Sequence, residues 1–492
     1  MITNADLPNE LNLATWFVDR NVEEGRGDRA ALIGPTGPTS YGELAGLVNR
    51  CGNLFRELGV RAQDRILLVL ADSVEFVALW YGAQKMGAVT AEAYTFLQPK
   101  DYGYYLEYTD AAVVVADETT ETAIREVAGD RQVLVVDEAF EERLAALSDE
   151  LEPASTMKDD IALWKFTTGS TGQPKGAVHP VHSPVLSNDW YAQGVLGIRE
   201  DDVVLPVPKL FFGYARDLTA LYPFGVGGAG IVFPERTTPE RIFELIAEHR
   251  PTILVNVPTM MAQMIDSVRH GRCQAPDMSC LRMCTSAGEA LPRELHDRWL
   301  DTFGVEVLDG IGSSELYHIY ISNRPGRARA GSTGELVPGY EAELGESGEL
   351  LVTGDTAALF YWGDEEKTKR TFAGDTVHTG DLFERDDDGF FWYRGRVDEL
   401  IKVGGIWVAP AEIEHCLVGH PDVVECAVVG AARNGLTVPR AYVVVRKPVQ
   451  EGALQDFVRE RLSPHKYPRE VVFVDDLPKT PSGKLDRKAL VA

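Results

Sequence analysis

The chain has 492 residues, of which 45% are hydrophobic and 25% charged, and it carries a formal net charge of −27. That length allows two or three domains with substantial cores. The acid excess argues against a protein that holds nucleic acid or an anionic membrane by long-range attraction, since both present dense negative charge. The start, Met1 to Leu7, has neither a basic segment nor an apolar run, and nothing approaches the roughly twenty uninterrupted apolar residues of a membrane span. A cytoplasmic protein with no membrane or nucleic-acid partner is expected. The six cysteines are scattered, and the closest grouping, Cys280 and Cys284, has helical rather than CxxC spacing, so free thiols are expected.

Residues 14–160 alternate helical and strand signals. A helix opens at Tyr41 with apolar residues at three and four spacing, and the apolar run Arg65 to Leu70 suits a buried parallel strand. A helix over 76–85 and strands over 87–92, 112–116 and 132–136 follow. After residue 176 the pattern restarts, with strands at 203–207, 230–233, 253–257 and 282–286 and a helix over 239–249. Repeated βα order implies parallel sheets with helices on both faces. From about residue 330 the texture changes to short strands and turns, as at 348–352 and 389–393, which suggests a small β-barrel or sandwich. The expected fold is therefore α/β: residues 1–397 form two doubly wound α/β subdomains plus a small barrel. Residues 398–492 form a small α+β domain, with helices over 410–418 and 452–462 and strands over 425–429 and 440–445.

The most informative stretch runs from Thr167 to Gly176, where Thr167, Thr168, Gly169, Ser170, Thr171 and Gly172 precede Gln173, Pro174, Lys175 and Gly176. Glycines let successive N–H groups converge on an anion, the hydroxyls add donors and Lys175 adds a point charge. The strand before it, Ile161 to Phe166, places the loop at a strand's carboxyl end, where ligands sit in open α/β sheets. Such a cluster can be an ordinary surface loop, but a surface loop has no reason to end in Pro-Lys-Gly after a buried strand. The kinase-type P-loop spacing of Gly, four residues, then Gly-Lys-Ser/Thr does not occur.

This loop resembles the nucleotide-phosphate loop of the adenylate-forming superfamily, which includes acyl-CoA synthetases and aryl-CoA ligases, and the resemblance continues in the family's order to residue 487. Asp309 to Glu315 resembles a second core motif, with Ile311 where the family often has an aromatic. The resemblance implies that Ser314 contacts the α-phosphate or adenylate and that Glu315 holds Mg²⁺, a hard cation suited to carboxylate and phosphate oxygens. Ser286 to Pro292, including Gly288 and Glu289, resembles the segment lining adenine, and Asp309 joins the nucleotide set. In Thr379-Gly380-Asp381, Asp381 is implied to accept from both ribose hydroxyls. In Arg394 to Gly405, Arg396 would reach ribose or phosphate, Asp398 would be the hinge, and Gly404 and Gly405 would line the pantetheine tunnel. Lys484, after Ser482-Gly483, is implied to bind both the carboxylate and the α-phosphate, offsetting repulsion between two anions and the charge developing at phosphorus.

Within that family, Lys209 to Asp217 and Asp309 to Ile319 resemble segments of benzoate- and hydroxybenzoate-CoA ligases, which implies an acyl pocket of Phe212, Gly213, Tyr214, His318 and Ile319. Aromatic walls suit a flat ring, and Gly213 lowers a wall to admit a ring substituent. Tyr214 or His318 could hydrogen-bond a ring hydroxyl or orient the carboxylate. The expected activity is ATP-dependent activation of a benzoate-type acid, with benzoate, hydroxybenzoate and salicylate as candidates, followed by transfer to coenzyme A. An aryl-AMP ligase loading a carrier protein and a non-catalytic nucleotide-binding scaffold are the rivals, and a homodimer is a family-based expectation. His179 and His182 lack Cys, Asp or Glu partners in sequence and read as packing or loop contacts rather than a metal pair.

Overall fold

Continuous apolar runs become parallel strands because both faces of the sheet are covered. In the computed structural model, which describes residues 1–168, 173–403, 406–433, 436–479 and 485–491, two large sheets arise this way. A seven-stranded sheet runs in the order Phe360–Tyr361, Pro174–Pro180, Ile161–Thr168, Val89–Glu92, Arg65–Val69, Val113–Asp117, Gln132–Val136. Its last five strands are parallel, and the Pro174–Pro180 strand pairs antiparallel on both sides. A nine-stranded sheet has a parallel centre in which Val203–Pro206, Ile253–Asn256, Met283–Ser286 and Val307–Gly312 are neighbours.

The helix Tyr41–Glu57 starts at a capping box, with the Ser40 side chain accepting from the Glu43 N–H while the Glu43 carboxylate accepts from the Ser40 N–H. The helix Val74–Lys85 is buried on every side from Phe76 onward, which accounts for its apolar residues all round its circumference. Its one charged end is satisfied: the Lys85 Nζ lies 2.8 Å from Asp19.

Past residue 330 the short strands form a five-stranded antiparallel sheet in which Thr376–Arg385 pairs with Glu349–Thr353, Phe372–Ala373 and Phe391–Arg396. Beyond it a three-stranded sheet of Val423–Arg433, Leu436–Val445 and Glu470–Phe473 packs with the helices Pro410–Val418 and Glu451–Arg459. Ile413, Leu417, Val428, Val443, Leu454 and Val458 give this unit a core of its own.

Two local features differ from the expectation. Pro174–Pro180 is a strand, not the continuation of a loop; its prolines stand at the two ends of the strand, where a missing N–H is tolerated. The Asp309 to Glu315 motif begins inside a strand, Val307–Gly312, because Ile319–Ser322 turns back antiparallel and supplies partners for Gly310, Ile311 and Gly312.

Candidate active site

A cleft of about 2030 Å³ runs from Lys165 at the carboxyl end of one parallel strand to Arg487 near the chain's end. It is built where the two large sheets and the antiparallel sheet present their strand ends and connecting turns. Thr167, Lys175, Ser314 and Glu315 line one section. The hairpin register sets Thr167 opposite Lys175. The Lys175 ammonium is 2.8 Å from the Asp364 carboxylate, a partner the sequence did not suggest. Ser314 is fixed through its main chain, its carbonyl accepting from His179 Nε2 at 2.6 Å. The Glu315 carboxylate accepts from the Tyr361 hydroxyl at 2.5 Å. Gly169, Ser170, Thr171, Gly172, Gly404, Gly405 and Lys484 lie outside the described residues, as does the side chain of Thr168.

A second section joins Asp381 and Arg396, which face each other across an antiparallel pair. Arg396 Nη1 donates to Asp381 at 3.2 Å and its Nε donates to Asp398 at 3.1 Å, so one guanidinium ties the cleft carboxylate to the expected hinge residue. Burial raises the Asp381 carboxyl to about 6, with Arg396 opposing that rise. Gly380 is required here: its φ is +72°, and a Cβ would stand 2.9 Å from Arg396 Nη2. Asp398 itself lies in a short turn, Val397–Glu399, whose Glu399 pairs with Arg487 at 3.1 Å.

Gly288, Glu289 and Asp309 also line the cleft. Glu289 accepts from the Thr259 hydroxyl at 2.6 Å. Gly288 has φ +86°, and a Cβ there would meet the Phe212 ring at 3.6 Å, so the expected adenine segment and the expected acyl segment touch. Burial holds the Asp309 carboxyl well above the usual carboxylate range, offset in part by Ser286 and the Gly310 amide.

The acyl section is walled by Phe212, Gly213, Tyr214, His318 and Ile319. The Tyr214 hydroxyl donates to Thr285 Oγ1 at 2.7 Å, and its ring stacks on His318 with centroids 5.6 Å apart. Burial, and then the nearby Lys165 ammonium, push His318 down to about 3, so its imidazole is neutral at pH 7. The reading of Gly213 needs correction. The space left by its missing side chain is filled by Lys165, whose Cε and Nζ would both lie 3.0 Å from a Cβ at Gly213.

Lys165 belongs to a buried group of four charges that sequence reasoning missed. Its Nζ donates to Asp217 at 2.5 Å and to the Tyr317 carbonyl at 2.6 Å. Arg216 donates to the other Asp217 oxygen at 2.8 Å and to Glu92 at 2.5 Å, and Glu92 also accepts from the Trp80 indole at 2.7 Å. The register that pairs Ala91 with Trp164 puts Glu92 beside Lys165, and the helix Gly213–Ala220 supplies Arg216 and Asp217. A lysine between Trp164 and Phe166 in an apolar strand was the available signal. Burial lowers Lys165 to about 8, with Asp217 opposing the fall. His179 and His182 are held by backbone carbonyls of Ser314, Lys158 and Asp355, and no cluster of three or more His, Cys, Asp or Glu residues suited to a metal occurs among the described residues. All six cysteines are free, and no helix among the described residues is long and apolar enough to cross a membrane.

A cleft at strand carboxyl ends that brings together Lys175, Ser314, Glu315, Asp381 and Arg396, with a small C-terminal unit at its mouth, is the arrangement of an adenylate-forming enzyme. Residues 18–362 match the AMP-binding enzyme family and residues 412–484 match the AMP-binding enzyme C-terminal domain; the chain belongs to that family. It is 39% identical to a benzoate–CoA ligase of Thauera aromatica, over 98% of this chain and 96% of the relative. It is 40% identical to a 4-hydroxybenzoate–CoA/benzoate–CoA ligase of Rhodopseudomonas palustris, over 98% and 94%. The structure superposes on a benzoate CoA ligase from Burkholderia xenovorans LB400 with a TM-score of 0.91 and 40% identity, covering 98% of this chain and 100% of that one.

Proposed function

We propose that this protein is an ATP-dependent aryl-CoA ligase acting on benzoate or a hydroxybenzoate, salicylate included. The observation that carries the reading is the continuity of the cleft. One cleft is lined by Phe212, Tyr214 and His318, by Ser314 and Glu315, and by the Asp381–Arg396 pair. A flat acid and a nucleotide would thus meet at their reactive ends.

In the first step the substrate carboxylate attacks the α-phosphorus of ATP, forming the acyl-adenylate and releasing pyrophosphate. In the second the coenzyme A thiol attacks the activated carbonyl, and AMP leaves. Asp381 accepts from the ribose hydroxyls, and Arg396 steadies that carboxylate and reaches ribose or phosphate. Thr167, Thr168, Gly169, Ser170, Thr171, Gly172 and Lys175 bind the phosphates, with Ser314 at the α-phosphate, while Gly288, Glu289 and Asp309 line the adenine. Lys484 neutralises the approach of carboxylate to phosphate, Gly404 and Gly405 guide the pantetheine arm, and Asp398 is the hinge between residues 1–397 and 398–492. The support for these roles is the motif resemblance, joined for Thr167, Lys175, Ser314, Glu315, Gly288, Glu289, Asp309, Asp381 and Arg396 by their shared cleft.

Glu315 is a hard oxygen donor beside the phosphate section, and a single carboxylate completed by substrate phosphates and water is a common Mg²⁺ arrangement. Bound Mg²⁺ would neutralise charge on the phosphates. The same reading makes the enzyme cytoplasmic and homodimeric, with no membrane or nucleic-acid partner; its support is the charge of −27 and the family resemblance.

The test is incubation with MgATP, coenzyme A and a panel of benzoates, with coenzyme A omitted in parallel, following AMP and acyl-thioester by mass. Coenzyme A-dependent thioester from an aryl acid is the expected result. Adenylate without thioester would transfer the reading to carrier-protein loading, and nucleotide binding with no product from any acid would overturn it in favour of a scaffold.

A further inference from the structure

The buried charges beneath the acyl pocket have no task in the chemistry above. Replacing a buried ionic group by apolar side chains is often neutral or stabilising, so such a group is weakly explained by stability alone. This one is electrically balanced, with Lys165 and Arg216 against Glu92 and Asp217. Arg216 and Asp217 are sealed in, whereas Lys165 and Glu92 border the cleft, and Lys165 does so at the acyl wall against Gly213.

Three features fix the Lys165 ammonium there. Asp217 and the Tyr317 carbonyl each take one N–H. Tyr317 adopts φ +71°, a conformation costly for a residue with a side chain, and it is the residue whose carbonyl and ring both meet this cation, the ring centroid lying 3.6 Å from Nζ. Position 213 carries no Cβ, which would otherwise crowd Nζ at 3.0 Å. An ammonium has three donors, and the third meets no oxygen or nitrogen acceptor among the described residues.

The next residue, His318, lines the same cavity. One ring nitrogen, Nε2, contacts the Tyr214 carbonyl at 3.3 Å, and the other, Nδ1, is buried without a hydrogen-bond partner. The acyl section of the cleft therefore holds both a cationic donor and an imidazole nitrogen. A phenolic hydroxyl, which both accepts and donates, complements that pair. The substrate carboxylate is not the group Lys165 meets: Lys165 precedes Thr167 by two residues on the same face of the strand, about 6.6 Å further from the phosphate end.

We propose that Lys165, held by Asp217 and the Tyr317 carbonyl and admitted by Gly213, is a specificity-determining residue that selects aryl acids bearing a ring hydroxyl over unsubstituted benzoate. The inference rests on the ligase reading and narrows its substrate class. A site built to hydrogen-bond a substrate hydroxyl rejects the analogue that lacks it, because buried polar groups are then left unpaired.

The experiment measures kcat/KM for coenzyme A-dependent thioester formation with benzoate and with 2-, 3- and 4-hydroxybenzoate, in the full-length protein and in the Lys165→Met and Lys165→Gln variants. The readout is the hydroxybenzoate-to-benzoate ratio within each preparation, which cancels any loss of folded enzyme. The expected result is a ratio of at least about 10 for one hydroxybenzoate in the unaltered protein, a collapse toward 1 in Lys165→Met, and an intermediate ratio in Lys165→Gln, which keeps N–H donors. If Lys165→Met does not fold, Lys165→Gln carries the comparison alone. A ratio unchanged in the variants, or a preference for benzoate in the unaltered protein, overturns the inference while leaving the ligase reading intact. No thioester from any acid overturns the ligase reading and this inference with it.

Discussion

Replacing Asp217 by asparagine removes one charge from a fully buried group and keeps the shape of the side chain. Asp217 accepts from Lys165 on one oxygen and from Arg216 on the other. Desolvation works to raise its carboxyl, and Arg216 and Lys165 more than reverse that, holding it below the usual range. Without the carboxylate, two buried cations share Glu92 alone, and breaking a buried pair from one side costs about 3–5 kcal/mol. If the first four hundred or so residues melt together, an unfolding entropy of about 2.1 cal/mol/K per residue converts this to a fall in melting temperature of about 4–6 °C. The assay is a thermal melt of both proteins from pH 7 to pH 9.

The pH dependence has a definite sign. In the unaltered protein Lys165 has a folded pKa of about 8, and Asp217 is what keeps it from falling further. In Asp217→Asn the folded pKa is lower still, so the Lys165 part of the stability difference is complete below that lower value and is lost as pH rises through about 8. The gap between the two melts should therefore narrow toward pH 9, leaving the cost at Arg216. A drop under about 1 °C at pH 7, or a gap that stays constant or widens with pH, would refute the account of this group as a tightly coupled buried network.

Asp364→Asn should tighten ATP binding about 1.4- to 5-fold by releasing Lys175 from a part-exposed ion pair. Asparagine still caps the helix Glu365–Thr371, where Asp364 accepts from the Lys367 N–H; a titration of nucleotide affinity checks both the direction and the retained fold. Because burial raises Asp381 to about 6, AMP affinity should fall as pH drops through 6, approaching about tenfold per pH unit below it. In Asp381→Asn that slope should vanish and the affinity be low throughout; calorimetry between pH 5 and pH 8 reads the difference. Lys484→Ala should abolish adenylate formation yet spare thioester formation from supplied acyl-adenylate, and equal loss of both half-reactions would remove the division of roles between them.

Elements whose signal is local were legible before the structure. The helices over 239–249 and 410–418 fall at their expected bounds because a proline stands at the first position of each and an apolar stripe follows. Cleft residues inside dense motifs, such as Asp381 and Glu315, were legible because glycine, hydroxyl and acid stand together in a few positions. Lys165, Glu92, Arg216 and Asp217 were not, because their partners come from three elements far apart in sequence and none forms a motif alone. A glycine read as an opening for substrate proved to be an opening for a lysine, since sequence shows that a side chain is missing but not which neighbour takes the space. The strand Pro174–Pro180 was hidden in part for a related reason: one of its two neighbours, Phe360–Tyr361, lies nearly two hundred residues away.

That distant pairing gives the cleft a ruler. The strand carrying Lys175 is clamped between Ile161–Thr168 and Phe360–Tyr361, and the next side of the clamp, Tyr361, grips the Glu315 carboxylate. The separation of Lys175 from that carboxylate is thus gauged by strand spacing, about 4.8 Å per step. Lengthening or shortening the chain between Thr168 and Pro174 would leave both ends of the ruler where the sheet sets them. Adjustments made by the small C-terminal unit would likewise be referred to a scale set in the sheet.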